Sequence, residues 1–157
     1  MGHVLVGEHS FLDNINGSLV DGTRYETCRV ENHPQFNYTT FDNDFAVVTL
    51  AQPVEIGARV NYACLPTSEL EGDFLVGKTV KVSGWGRLGA NLSAPLNLYT
   101  VDLPAVSNTD CSAWFPVELG APAITDRMLC AGREGENAVG GCFGDSGGKI
   151  RNSADSV

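Results

Sequence analysis

Short apolar runs, each cut off by Gly, Pro, Asn or Asp before a helical period can build up, set the limits on what this 157-residue chain folds into. Val4 to Val6, Arg24 to Val30, Phe45 to Leu50, Val76 to Trp85 and Leu98 to Val106 read as strands, so the expected class is a turn-rich, all-β protein. Phe45 to Leu50 is almost continuously apolar and partly β-branched, the pattern of a strand buried on both faces. The one helical signal is Ser107-Asn108-Thr109-Asp110-Cys111, with Ser107 or Thr109 as cap and a short helix running through Trp114 and Phe115. The length suffices for one ordinary domain with a sizeable core.

The net charge of −9 argues against binding to a phosphate backbone, so no nucleic-acid partner is expected, and it biases long-range steering toward cationic partners. Five cysteines without a Cys-x-x-Cys pair, and without histidines at zinc spacing, favour a disulfide framework over a metal site. No metal is expected. Asn-x-Ser/Thr sequons at Asn16, Asn37 and Asn91 fit an oxidising, secretory route. Met1 to Glu8 has no basic region followed by an apolar core, and no run is long enough to span a bilayer, so neither a signal peptide nor a membrane partner is expected from these residues.

Chemistry concentrates in Gly140-Gly141-Cys142-Phe143-Gly144-Asp145-Ser146-Gly147-Gly148. Glycines around Ser146 expose its hydroxyl and let backbone N–H groups converge where an oxyanion would form. Gly144-x-Ser146-x-Gly148 also matches the nucleophile elbow of α/β-hydrolases. That elbow requires an acid and then a histidine downstream, and the residues after Gly148 contain Asp155 but no histidine.

Gly-Asp-Ser-Gly-Gly, with a cysteine shortly before it, resembles the active-site serine segment of chymotrypsin/trypsin-like serine proteases. Asp42-Asn43-Asp44-Phe45-Ala46-Val47-Val48-Thr49-Leu50 resembles that family's catalytic-aspartate segment, and Val82-Ser83-Gly84-Trp85-Gly86 the strand opening its second barrel. Ala63-Cys64-Leu65-Pro66 and Met128-Leu129-Cys130-Ala131-Gly132 follow in family order.

The resemblance implies a chymotrypsin-like double β-barrel, truncated: residues 1–60 a partial first barrel, 61–75 the link, 76–157 a partial second barrel. The first strands of barrel one, and the last strands and C-terminal helix of barrel two, are expected to be absent. It implies a secreted serine endopeptidase without a cofactor, acting on protein or peptide substrates and open to protein inhibitors. Ser146 would be the nucleophile, Asp44 the orienting acid, and the N–H groups of Gly144 and Ser146 the oxyanion hole. Asp145 would pair with the ammonium freed on zymogen activation. Gly140 falls where trypsin-like enzymes carry the pocket-base Asp, which implies a preference that is not strictly tryptic. Cys111 and Cys130 match the family's disulfide pair, whereas Cys64 and Cys142 match cysteines whose partners lie outside this sequence. Cys28 has no family counterpart, and Lys149 stands where proline is usual.

The family's histidine occupies an Ala-x-His-Cys setting upstream of the strand at Val4, so the base is expected to be missing and the chain nearly inactive. His3 lacks the following cysteine, His33 falls where the resemblance implies a structural histidine, and His9 is not expected to act as the base either. Two other readings stand beside the enzyme: a non-catalytic protease homologue that binds or regulates, and a truncated gene product without a function of its own. Unpaired edges and open apolar surface imply aggregation or reliance on another chain.

Overall fold

The computed structural model describes residues 2–11, 22–65, 72–89, 91–116, 120–134 and 140–152. The turn-residue breaks give two antiparallel sheets. The first contains β1 (His3–Val6), β2 (Thr23–Asn32) and β3 (Ala46–Leu50) in the order β1-β2-β3. The second contains β4 (Thr79–Gly84), β5 (Tyr99–Val106), β6 (Cys130–Ala131) and β7 (Ile150–Asn152) in the order β6-β5-β4-β7. Between β5 and β6 lies a single short helix, α1 (Asn108–Trp114), and a 3₁₀ turn at Gly72–Leu75 leads into β4. Mostly strand, with one open sheet from each half, the architecture is that of a partial chymotrypsin-like double β-barrel.

The tightest packing sits where β4 and β5 pair. Val80 faces Leu103 across the ladder, and Val80, Leu103 and Ala105 are 0%, 1% and 2% exposed. Leu75, Val82, Val101 and Ala131 pack against them. Ser107 is the helix cap: its hydroxyl accepts the Asp110 N–H at 3.0 Å and donates to the Asp110 carboxylate at 2.7 Å. A disulfide between the buried Cys111 and Cys130 fastens α1 to β6. In the chain-entropy picture, closing a loop of this length contributes about 3 kcal/mol.

The sheets meet through segments at their ends. Leu98 N–H donates to the His9 carbonyl at 2.8 Å, and Phe11 N–H to the Leu96 carbonyl at 2.8 Å. Trp85 adds an indole N–H to the His9 carbonyl at 3.3 Å, and its ring lies 5.2 Å from that of Phe11. In the first sheet, Tyr25 is buried and its hydroxyl accepts the Glu55 N–H at 3.3 Å, tying β2 to the chain after β3.

The strand after Asp44 differs from expectation. Phe45 and Val47 are 59% and 58% exposed, and Val48 and Val30 are also open. A continuous apolar run signals a strand meant for cover on both faces, but no second layer of described residues lies over β3.

Truncating the β4–β5 contact with Leu103→Ala should cost about 2–5 kcal/mol in a urea titration. Ser107→Ala should cost about 1 kcal/mol, because the α1 N–H groups lose their acceptor. With β3 uncovered, sedimentation should find the 157-residue chain self-associated; a monomer with a sharp, reversible melt would contradict this.

Candidate active site

Ser146 lies on a loop that runs straight into β7. β7 pairs antiparallel with β4, placing Ile150 opposite Val82 and Arg151 opposite Lys81. The serine therefore precedes a strand of an antiparallel sheet, which excludes the strand-to-helix elbow of an α/β-hydrolase. Two tight turns shape the loop, with Asp145 N–H donating to the Cys142 carbonyl at 3.0 Å and Gly148 N–H to the Asp145 carbonyl at 2.8 Å. Gly144, at φ 99°, occupies the left-handed region that a side chain would strain. Ser146 is exposed, and among the described residues neither its N–H nor that of Gly144 has a hydrogen-bond partner.

Asp145 turns away from the serine. Its carboxylate accepts the Gly86 N–H at 2.8 Å and the Cys142 N–H at 2.9 Å. Reaching Gly86 requires the side chain to lie across the backbone just past β4, and a Cβ at Gly84 or Gly86 would run into the carboxylate. Glycine at both positions is thus a steric condition for this placement. Arg87 N–H donates to the Phe143 carbonyl at 2.9 Å, so the two loops are joined again. Between them is a cavity of about 490 Å³, with Gly140, Cys142, Asp145 and Arg87 in its wall.

Asp44 is on the other half, in the loop between β2 and β3. His33 N–H donates to the Phe45 carbonyl at 3.0 Å and closes that loop, and the His33 ring packs on Phe45 at 4.6 Å. The side chain of Asp44 is exposed, and among the described residues it has no hydrogen-bond partner, Ser146 included. None of the three histidines is bonded to either residue. His33 Nδ1 accepts the Gln35 N–H at 3.2 Å, which gives that ring a structural place. His3 belongs to β1, and His9 is exposed in the turn after it.

Asp42, two residues earlier, shows nothing in the sequence beyond a turn, yet it is the best-partnered acid of this loop. Its carboxylate accepts the Thr125 hydroxyl at 2.7 Å and Arg127 Nε at 3.1 and 3.0 Å, with Arg127 Nη2 in contact as well. This cluster joins the Asp44 loop to the segment before β6. Phe41 and Asn43, on either side of Asp42, both have positive φ, at 57° and 56°. For Phe41 that conformation is unusual and needs the surrounding contacts to hold it. The Arg127 guanidinium and then the Thr125 hydroxyl hold the Asp42 carboxyl below its ordinary range, and Asp42 in turn raises Arg127. Nothing local in Thr125-Asp126-Arg127 marks it as the partner of a residue so far back in the chain.

Comparison with known proteins identifies the family. The profile of the Trypsin family covers residues 2–155. The chain belongs to the trypsin family of serine proteases. It is 33% identical over 150 residues to trypsin-3 of Salmo salar, covering 94% of this chain and 56% of that protein. It is 34% identical over 148 residues to serine protease 1 of Rattus norvegicus, covering 94% and 54%. With the serine proteinase stubble of Drosophila melanogaster it shares 37% identity over 119 residues, 76% of this chain and 15% of that protein. The chain thus spans about half the length of the first two relatives. Trypsin-family proteases act on proteins or peptides and are typically secreted; among the described residues no helix is long and apolar enough to cross a membrane.

Arg127→Met should loosen the Asp44 loop, read as faster amide exchange at residues 41–44, while the β4–β5 amides keep their protection. Because the folded Asp42 carboxyl titrates below its unfolded value, its stabilising contribution is complete above the unfolded value of 3.8 and is lost as pH falls through the folded one. An acid titration should therefore destabilise the parent protein more than Arg127→Met. Added salt should narrow that gap, since Arg127 is largely exposed.

Proposed function

We propose that this chain is a serine endopeptidase domain that works through an acyl-enzyme. The Ser146 hydroxyl adds to the scissile carbonyl and its proton passes to an imidazole. The oxyanion is met by the N–H groups of Gly144 and Ser146, the amine leaves with the proton, and water then hydrolyses the ester. Asp44 would orient the imidazole and stabilise its charged form. The observation carrying this reading is the Gly144–Gly148 loop, with Ser146 exposed beside two N–H groups that have no described partner.

No histidine of this sequence is bonded to Asp44 or Ser146 among the described residues, so we expect the 157 residues by themselves to be close to inactive. The same observation favours a second reading, a protease homologue that binds without cleaving. Gly140 contributes no carboxylate to the pocket base, and the Asp145 carboxylate is committed to two backbone N–H groups. A cleavage preference for residues other than Lys and Arg is the consequence.

Labelling with a fluorophosphonate separates the readings. The longest natural product of the gene should label at Ser146, Ser146→Ala should abolish labelling, and Asp44→Asn should slow it by roughly 10⁴. The 157-residue chain should label at least about 10³ more slowly than the longest product, because none of its histidines is bonded to Ser146 among the described residues. A longest product that folds but does not label would overturn the enzyme reading in favour of the non-catalytic one.

A further inference from the structure

We propose that Asn37 is an N-glycosylation site, its side-chain nitrogen accepting an oligosaccharide from a lipid-pyrophosphate donor. Of the three Asn-x-Ser/Thr sequences, this is the one whose side chain is ordered by a turn among the described residues. Asn37 is exposed near the tip of the β2–β3 loop, followed by Tyr38, which is 78% exposed. Its Oδ1 is engaged, accepting the Thr39 N–H at 2.8 Å and the Thr40 N–H at 3.2 Å. Its Nδ2 has no hydrogen-bond partner among the described residues. The same turn carries Thr39, the hydroxyl residue of the sequon, folded back beside Asn37.

The loop is also held by bonds that do not use Asn37 Nδ2. Asn37 N–H donates to the Asp42 carbonyl at 3.1 Å, and Phe41 N–H to the Asn37 carbonyl at 2.8 Å. Asn43 Nδ2 donates to the Gln35 carbonyl at 3.2 Å. Attaching a sugar at Nδ2 breaks none of these bonds and buries none of the apolar contacts. By contrast, Asn91 has no such turn about its side chain among the described residues, and Asn16 lies outside them. A second observation points to the compartment: the Cys111–Cys130 disulfide requires the oxidising environment in which such transfer takes place.

In the transfer, the Nδ2 lone pair forms a bond to the anomeric carbon of the donor. The carbon–oxygen bond to pyrophosphate breaks, the lipid pyrophosphate leaves with that electron pair, and one Nδ2 proton is lost to a base. No electrons are exchanged. The site is distinct from the peptidase chemistry, and its test does not depend on it.

The experiment is secretion of the full chain from eukaryotic cells behind an added leader, followed by amidase deglycosylation in heavy-oxygen water. The expected result is a mass loss of one glycan and deamidation of Asn37 with uptake of heavy oxygen. Asn37→Gln and Thr39→Ala should each remove that glycan, and Thr39→Ser should retain part of it. Absence of any mass change, or an Asn37→Gln variant that carries the same glycan mass as the parent chain, would overturn the proposal. Should either variant fail to fold, peptide mapping of the unmutated chain locates the glycan directly, and a map with Asn37 unmodified overturns the proposal equally.

Discussion

The serine loop is held from two directions by one strand, and the placement of Asp145 follows from that. β4 pairs with β7, which begins just after the loop, and the chain leaving β4 offers the Gly86 N–H to the Asp145 carboxylate within it. A carboxylate placed against backbone is tolerable only if its oxygens find donors, and here both do. The other edge of β4 is zipped to β5 through the Val80–Leu103 contact, so the strand that holds the serine loop also contributes to the best-packed cluster among the described residues. Ser146 is exposed, while the strand that anchors its loop is fixed by the fully buried Val80.

The other half is built with less material. Its sheet buries Tyr25 but leaves the apolar side chains of β3 open, and the loop carrying Asp44 depends on polar contacts instead. An exposed carboxylate–guanidinium pair is ordinarily a weak tie. What lends it effect is where it lies: it spans the two halves and flanks a turn that contains two residues of positive φ.

The strands, the cap at Ser107 and the family are legible because each is written in neighbouring residues: apolar runs ended by turn formers, a serine followed three places on by an acid, glycines around a serine. The pairing of Cys111 with Cys130 follows from resemblance and is formed in the structure. The burial of β3 departs from expectation because a run of apolar residues records the cover a strand is suited to and not the cover it has. Asp42 looks like an ordinary turn residue because its partners, Thr125 and Arg127, lie 83 and 85 residues away. The cradle formed by Gly84 and Gly86 for Asp145 is hidden for the same reason, though each glycine stands within a recognisable segment.

The ladder of β2 and β3 slips between Thr27 and Arg29, so that Leu50 faces Thr27 while Thr49 faces Arg29, and Cys28 is the spare residue. Side chains alternate along a strand, so one unpaired residue puts the two ends of β2 out of phase. Tyr25 points inward on one side of that irregularity while the ladder toward Asn32 runs on the opposite parity. An exposed cysteine thus acts as a shim: remove it, and either the buried tyrosine or the strand leading to Asp44 would be forced to exchange faces.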